Sequence, residues 1–124
     1  MKLICSIALA LAILIQTTSS RADYFVAGIG ATACGKIAQD YRQYPTHIGT
    51  AMMTWAQGFM SGANICSLEH GQYRDLQAMT VEAQEQSLRN YCDQHPMAEL
   101  AEAVIVLYGK LPLKKHTPPA STSH

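Results

Sequence analysis

Charge is scarce in this chain and neither sign dominates. Of 124 residues, nine are Lys or Arg and nine are Asp or Glu, so there is no basic patch to argue for nucleic acid. After the N-terminal run there is no stretch of the roughly 20 apolar residues that a membrane-crossing helix needs. Catalytic context is missing too. Ser61, Ser67 and Ser87 lack a nucleophile-elbow setting, and His47, His70 and His95 have no carboxylate at a spacing that marks a triad. Glu82 and Glu85, like Glu99 and Glu102, are paired three residues apart, which on a helix predicts a solvated edge rather than an acid–base couple. Gly28-Ile-Gly30-Ala-Thr-Ala33 imitates a dinucleotide fingerprint, but no strand precedes it and no βαβ unit surrounds it. The expectation is a protein that is not an enzyme and takes no cofactor.

What is present begins with a targeting signal. Lys2 is followed by an apolar run from Leu3 to Ile15, polar residues to Ser20, and a Ser20-Arg21-Ala22 triplet that fits a cleavage site. Residues 1–22 therefore read as a secretory signal peptide. Cys5 leaves with it, because it lies too early for a lipid-modified cysteine at the cleavage point. Seven Lys and Arg then face nine Asp and Glu. The remaining hundred or so residues make one domain, which buries about 60–65% of its unfolded surface.

Residues 23–112 carry the pattern of a small all-α, four-helix domain. Thr32 is placed to cap a first helix that ends at Gln43, with Ile37 and Tyr41 beside Cys34 on the buried side. A second helix from Thr46 or His47 to about Ile65 repeats Ile48, Met52, Trp55, Phe59 and Ala63 at intervals of three or four. Gly49, Gly58 and Gly62 each cost about 1 kcal/mol inside a helix, and three such residues predict tight packing, with Gly58 and Gly62 in the core beside Trp55 and Phe59. Met52, Met53 and Met60 are expected in the core rather than on a promiscuous apolar surface. Asn64 reads as a helix-end or turn residue. Residues 67–78 have no clear period and predict the long loop of the domain, where function most often sits.

Thr80 caps a third helix through Leu88, Tyr91 and Cys92 to His95, with His95 at its C-terminal end favoured by the helix dipole. Pro96 breaks that helix and suits the first turn of a fourth. Met97, Leu100, Ala101, Val104, Leu107, Tyr108 and Leu111 form its stripe, and Gly109 and Pro112 stop it. Residues 113–124, rich in Pro, Ser and Thr, predict a disordered tail.

The mature chain keeps Cys34, Cys66 and Cys92, an odd number in an oxidising compartment, so the simplest count is one disulfide and one spare thiol. Cys34 and Cys92 meet if the third helix packs antiparallel to a hairpin of the first two. Closing that loop is worth roughly 4 kcal/mol in the chain-entropy model. Cys66 is then a partly buried free thiol or, alternatively, the link of a covalent homodimer. Cys66-x-x-x-His70 and Cys92-x-x-His95 have spacings that resemble a zinc site, but the thiolates would have to escape oxidation; no metal is expected.

Cys34, Trp55-x-x-Gly58-Phe59-x-x-Gly62-x-Asn64, Tyr91-Cys92-x-x-His95-Pro96 and Leu100-x-x-Ala103-Val104-x-x-Leu107 together resemble two groups of small helical periplasmic proteins. One is the Rap/Tai-type immunity proteins of type VI secretion, which bind and block cell-wall amidase effectors. The other is the HdeA/HdeB-like acid-stress chaperones. The likeness covers most of residues 30–111, and Cys34 and Cys92 match the disulfide positions it implies, whereas Cys66 departs from the two-cysteine chaperones. The resemblance implies a periplasmic, non-catalytic protein whose partner is a secreted effector or an unfolded client. It assigns no partner-binding residue. Helical spacing itself predicts a structural core containing Trp55, Gly58, Phe59, Gly62, Tyr91, Leu100, Val104 and Leu107.

Overall fold

The computed structural model describes residues 26–117, so the signal segment 1–22 and residues 118–124 of the expected tail lie outside the described residues. A 3-10 turn at Gly28–Ala31 leads into α1 (Cys34–Gln43), α2 (Pro45–Leu68), a short strand β1 (Gln72–Arg74), α3 (Val81–Gln94), α4 (Leu100–Lys110) and a second strand β2 (Leu113–Lys115). The domain is a small all-α bundle clipped by a disulfide between Cys34 and Cys92, 58 residues apart in sequence. None of its described helices is long and apolar enough to cross a membrane.

Local chemistry explains most boundaries. Pro45 occupies the first turn of α2, where its missing N–H costs nothing, and Tyr44 alone joins α1 to α2. Thr80 caps α3 by accepting from the Ala83 N–H at 3.2 Å. Gly71, at φ 69°, supplies the left-handed turn that releases the chain from α2 into β1. The fourth helix begins later than Pro96. The Pro96 and Ala98 carbonyls accept from the Gly35 and Cys34 N–H groups at 2.8 and 2.7 Å, so they cap α1 instead of starting a helix of their own. Glu99 takes the capping position, its N–H donating to the Glu102 carboxylate at 3.2 Å. Met97, expected on the apolar stripe, is consequently 92% exposed. The same contacts replace the expected Thr32 cap: the residue before α1 is Ala33, and no side chain caps that end.

The core is built from Cys34, Ile37, Met52, Met53, Ala56, Met60, Leu88, Cys92 and the α4 stripe Leu100, Ala103, Val104 and Leu107, closed by Leu111. Methionine supplies three of its side chains, as expected. Trp55, Phe59 and Tyr91 are half-buried and pack against this core. Gly58 and Gly62 are not part of it. Both are exposed, and a Cβ at either would meet nothing. The close approach occurs at Gly30, where the chain passes flat against the Trp55 indole, whose Nε1 donates to the Ala27 carbonyl at 3.0 Å.

Residues 113–115 are likewise not a free tail. They pair antiparallel with β1 in the register Gln72 with Lys115, Tyr73 with Lys114 and Arg74 with Leu113. Main-chain pairing across that distance is invisible to composition, which is all that the tail reading rested on.

The two kinds of glycine are separable by substitution. Gly30→Ala places a methyl inside the Trp55 ring and should destabilise the fold by about 1–3 kcal/mol. Gly58→Ala, on an open helical surface, should stabilise it by about 0.5–1 kcal/mol. Urea unfolding of the two variants measures both; equal shifts of one sign would contradict the assignment.

Candidate functional site

Of the segment from Ser67 to Ala78, expected as a loop, Ser67 and Leu68 complete α2 and the rest is a turn, a strand and a second turn held against the end of that helix. The residue that holds it is Asn64. Far from ending a helix, Asn64 lies inside α2, and its side-chain amide pairs with the main chain of Arg74 as another strand would. The Arg74 N–H donates to Oδ1 at 2.7 Å and Nδ2 donates to the Arg74 carbonyl at 2.8 Å. The Tyr108 hydroxyl donates to the same Oδ1 at 2.8 Å. Arg74 then reaches across to the Leu111 carbonyl at 2.7 Å, with its guanidinium 5.9 Å from the centre of the Tyr108 ring. One side chain thus ties α2, β1 and α4 together.

The β1–β2 ribbon and the adjoining end of α2 present apolar side chains to solvent. Ile65 is 67% exposed and Leu113 56%, and Ile65, Leu68, Tyr73 and His116 line a shallow notch beside Asn64. Within the ribbon Lys114 reaches the Asp75 carboxylate at 2.6 Å. Hydrogen bonding from Lys114, helped by the Gln77 N–H, holds the Asp75 carboxyl below its ordinary pKa; the same bond raises that of Lys114. Cys66 stands exposed and unbonded next to Ile65, which corrects the partly buried position expected for it.

A second polar cluster joins α1 to α3. Glu85 is not a solvated edge residue. It accepts from the Tyr41 hydroxyl at 2.7 Å and packs against Gly49, while Arg89 lies 4.1 Å above the Tyr41 ring. The bond to Glu85 raises the Tyr41 pKa, with burial adding to it. A tyrosine held in its protonated form is a clamp between helices, not a poised base. Glu82, Glu99 and Glu102 form no comparable cluster.

The zinc reading fails on connectivity. Cys92 is bonded to Cys34, and among the described residues no three His, Cys, Asp or Glu side chains gather at ligand distance. His95 closes α3 with Nδ1 2.9 Å from the Tyr91 carbonyl, which requires the proton on that nitrogen, and stacks on the Tyr91 ring at 4.2 Å. Gln84 anchors the segment before α3 by donating to the Leu76 and Met79 carbonyls at 2.8 and 3.0 Å. Asn64, Arg74, Tyr108 and Glu85 were the functional-looking residues hardest to find from sequence, since each works through partners 10 to 44 residues away. Set against known protein families, curated proteins and solved structures, the chain matches none.

Substituting Asn64 isolates the ribbon. Asn64→Ala leaves the Arg74 N–H and carbonyl without their partner and should cost about 1–3 kcal/mol. Amide exchange should accelerate at Arg74 while the core amides of Leu88 and Val104 keep their relative protection. Uniform loss of protection across the bundle would show that Asn64 supports the whole fold rather than the ribbon.

Proposed function

We propose that this is a small exported, non-catalytic protein that binds a protein partner, acting in the periplasm as an immunity-type inhibitor of a cell-wall-degrading effector. The observation that carries the reading is the end of the bundle formed by α2 and the ribbon. There Ile65, Leu68 and Tyr73 line one apolar notch beside a backbone fixed by the Asn64 bonds. A pre-organised apolar surface suits protein association, because little ordering entropy remains to be lost on binding. The Cys34–Cys92 disulfide supports the compartment, since such bonds persist where the milieu is oxidising. The sequence resemblance supplies the class of partner. In a direct test, the mature protein should inhibit a purified periplasm-targeted cell-wall amidase with one-to-one stoichiometry and without being consumed. Failure to inhibit any amidase recovered by affinity capture from effector extracts would sink this reading.

A second reading, an acid-activated chaperone, rests on the Asp75–Lys114 pair. Because the folded protein holds Asp75 below the ordinary carboxylate value of about 3.9, the pair contributes fully above that pH and is lost as pH falls through the lowered pKa. Lys114, with its pKa raised, loses its contribution only in alkali. Strong acid would therefore loosen the hold of Lys114 on the turn at Asp75. Dye binding and client protection should rise on going from about pH 7 to 2, and Asp75→Asn should move part of that rise to neutral pH. Flat responses in both proteins would eliminate the chaperone.

A further inference from the structure

The ribbon has two edges, and the fold treats them differently. The His116 N–H donates to the Gly71 carbonyl at 2.8 Å and the Asp75 N–H to the Pro112 carbonyl at 2.9 Å. Antiparallel alternation then makes Tyr73 and Lys114 the inward-bonded pair and turns the main-chain groups of Arg74 and Leu113 outward. On the β1 side the Arg74 groups meet the Asn64 amide, which covers that edge at Arg74. On the β2 side the N–H and carbonyl of Leu113 and Lys115 have no protein partner among the described residues. All three β2 residues are exposed.

We propose that the open edge of β2 is a docking strand for an extended, acidic segment of the protein partner, which pairs main chain to main chain with Leu113 and Lys115. The inference rests on the partner-binding reading above and names the surface that does the binding. Charge selects the occupant. Lys114 is committed to Asp75, but Lys115 forms no ion pair among the described residues, and Lys110 and His116 lie exposed at either side of the strand. An added strand with carboxylates meets this row favourably, and one with lysines is repelled. A second copy is disfavoured by the same row. Antiparallel self-pairing centred on Lys114 or Lys115 sets that lysine directly opposite its own copy. Centring on Leu113 drives each strand into the partner's Leu111, which is 1% exposed. A paired segment running past Lys115 also reaches His116 and the apolar notch of Ile65, Leu68 and Tyr73.

The test uses isotope-labelled mature protein and a blocked hexapeptide of alternating valine and glutamate, followed by amide shifts and exchange. The Leu113 and Lys115 amides should shift and exchange more slowly. Binding should weaken about tenfold or more for the lysine counterpart of the peptide and for one N-methylated at alternate residues. Leu113→Pro removes an outward N–H without touching the β1 ladder and should abolish the response, with the Arg74 amide signal unchanged. Lys115→Glu should reverse the preference toward the lysine peptide. The proposal is overturned by the absence of shifts at these amides, by equal binding of the N-methylated peptide, or by equal binding of the lysine peptide. Concentration-dependent protection without peptide would assign the edge to a second copy, and faster exchange in a chain ended at Thr117 would assign it to residues 118–124; either also overturns it. If Leu113→Pro inhibits an amidase as well as the native protein does, the partner reading stands and β2 is excluded as its site.

Discussion

Everything in this fold hangs on the junction between the start of α1 and the connection from α3 to α4. The Cys34–Cys92 disulfide lies at its centre, buried on both sides. Three main-chain bonds flank it: Cys34 to Ala98, Gly35 to Pro96, and Leu100 back to Thr32. The arrangement answers two needs at once. The first amides of α1 lack both an intrahelical partner and a side-chain cap, and the carbonyls at Pro96 and Ala98 provide acceptors. Those carbonyls in turn belong to a segment that Pro96 prevents from continuing α3. A covalent bond alone would bring two helices together; the exchanged hydrogen bonds set their register.

From this junction the rest of the bundle follows by packing. α4 is directed along the groove beside α2, where Val104 and Leu107 join Met52 and Met60 in the core. Because α4 stops at Lys110 and Leu111 is buried, the chain leaves the bundle beside the end of α2, which places β2 within reach of β1. Two strands of three residues would not persist alone. Asn64 and Arg74 stabilise them by attaching the ribbon to helices already fixed by the core. The ribbon is thus a dependent structure whose geometry is inherited from α2 and α4.

How much of this was legible in the sequence differs residue by residue for physical reasons. The α4 stripe, the Thr80 cap, the methionines of α2 and the Cys34–Cys92 pairing were readable because helical period, capping chemistry and cysteine count are local or countable signals. The true start of α4 was not, since it depends on α1 claiming the Pro96 and Ala98 carbonyls. Nor were the places of the glycines. Gly58 and Gly62 share a helix with Trp55, yet the ring turns instead to Gly30, which lies in a segment with no periodicity to announce it. The ribbon was the least readable part. Leu113-Lys-Lys has too few residues to show alternation, and its partner strand lies some forty positions earlier. Asn64 resembled a helix end because asparagine usually marks one; only the approach of Arg74 reveals that its amide substitutes for a strand.

That substitution bears on what the protein does. A two-stranded ribbon at the surface normally offers two open edges, each a route to unspecific pairing. Here one edge is met at Arg74 by a side-chain amide from a helix, whereas the other faces solvent beside lysines. The two readings of function make opposite demands on this element. An inhibitor needs the ribbon held firm, because affinity depends on a surface already in its binding geometry. An acid-released chaperone needs it to detach, and among the described residues its one ion pair is Asp75 with Lys114. The Asn64 bonds involve neutral groups that acid does not titrate, and Arg74 adds its bond to the Leu111 carbonyl. Most of what fixes the ribbon is therefore indifferent to pH, and on this balance of interactions the inhibitor reading is favoured.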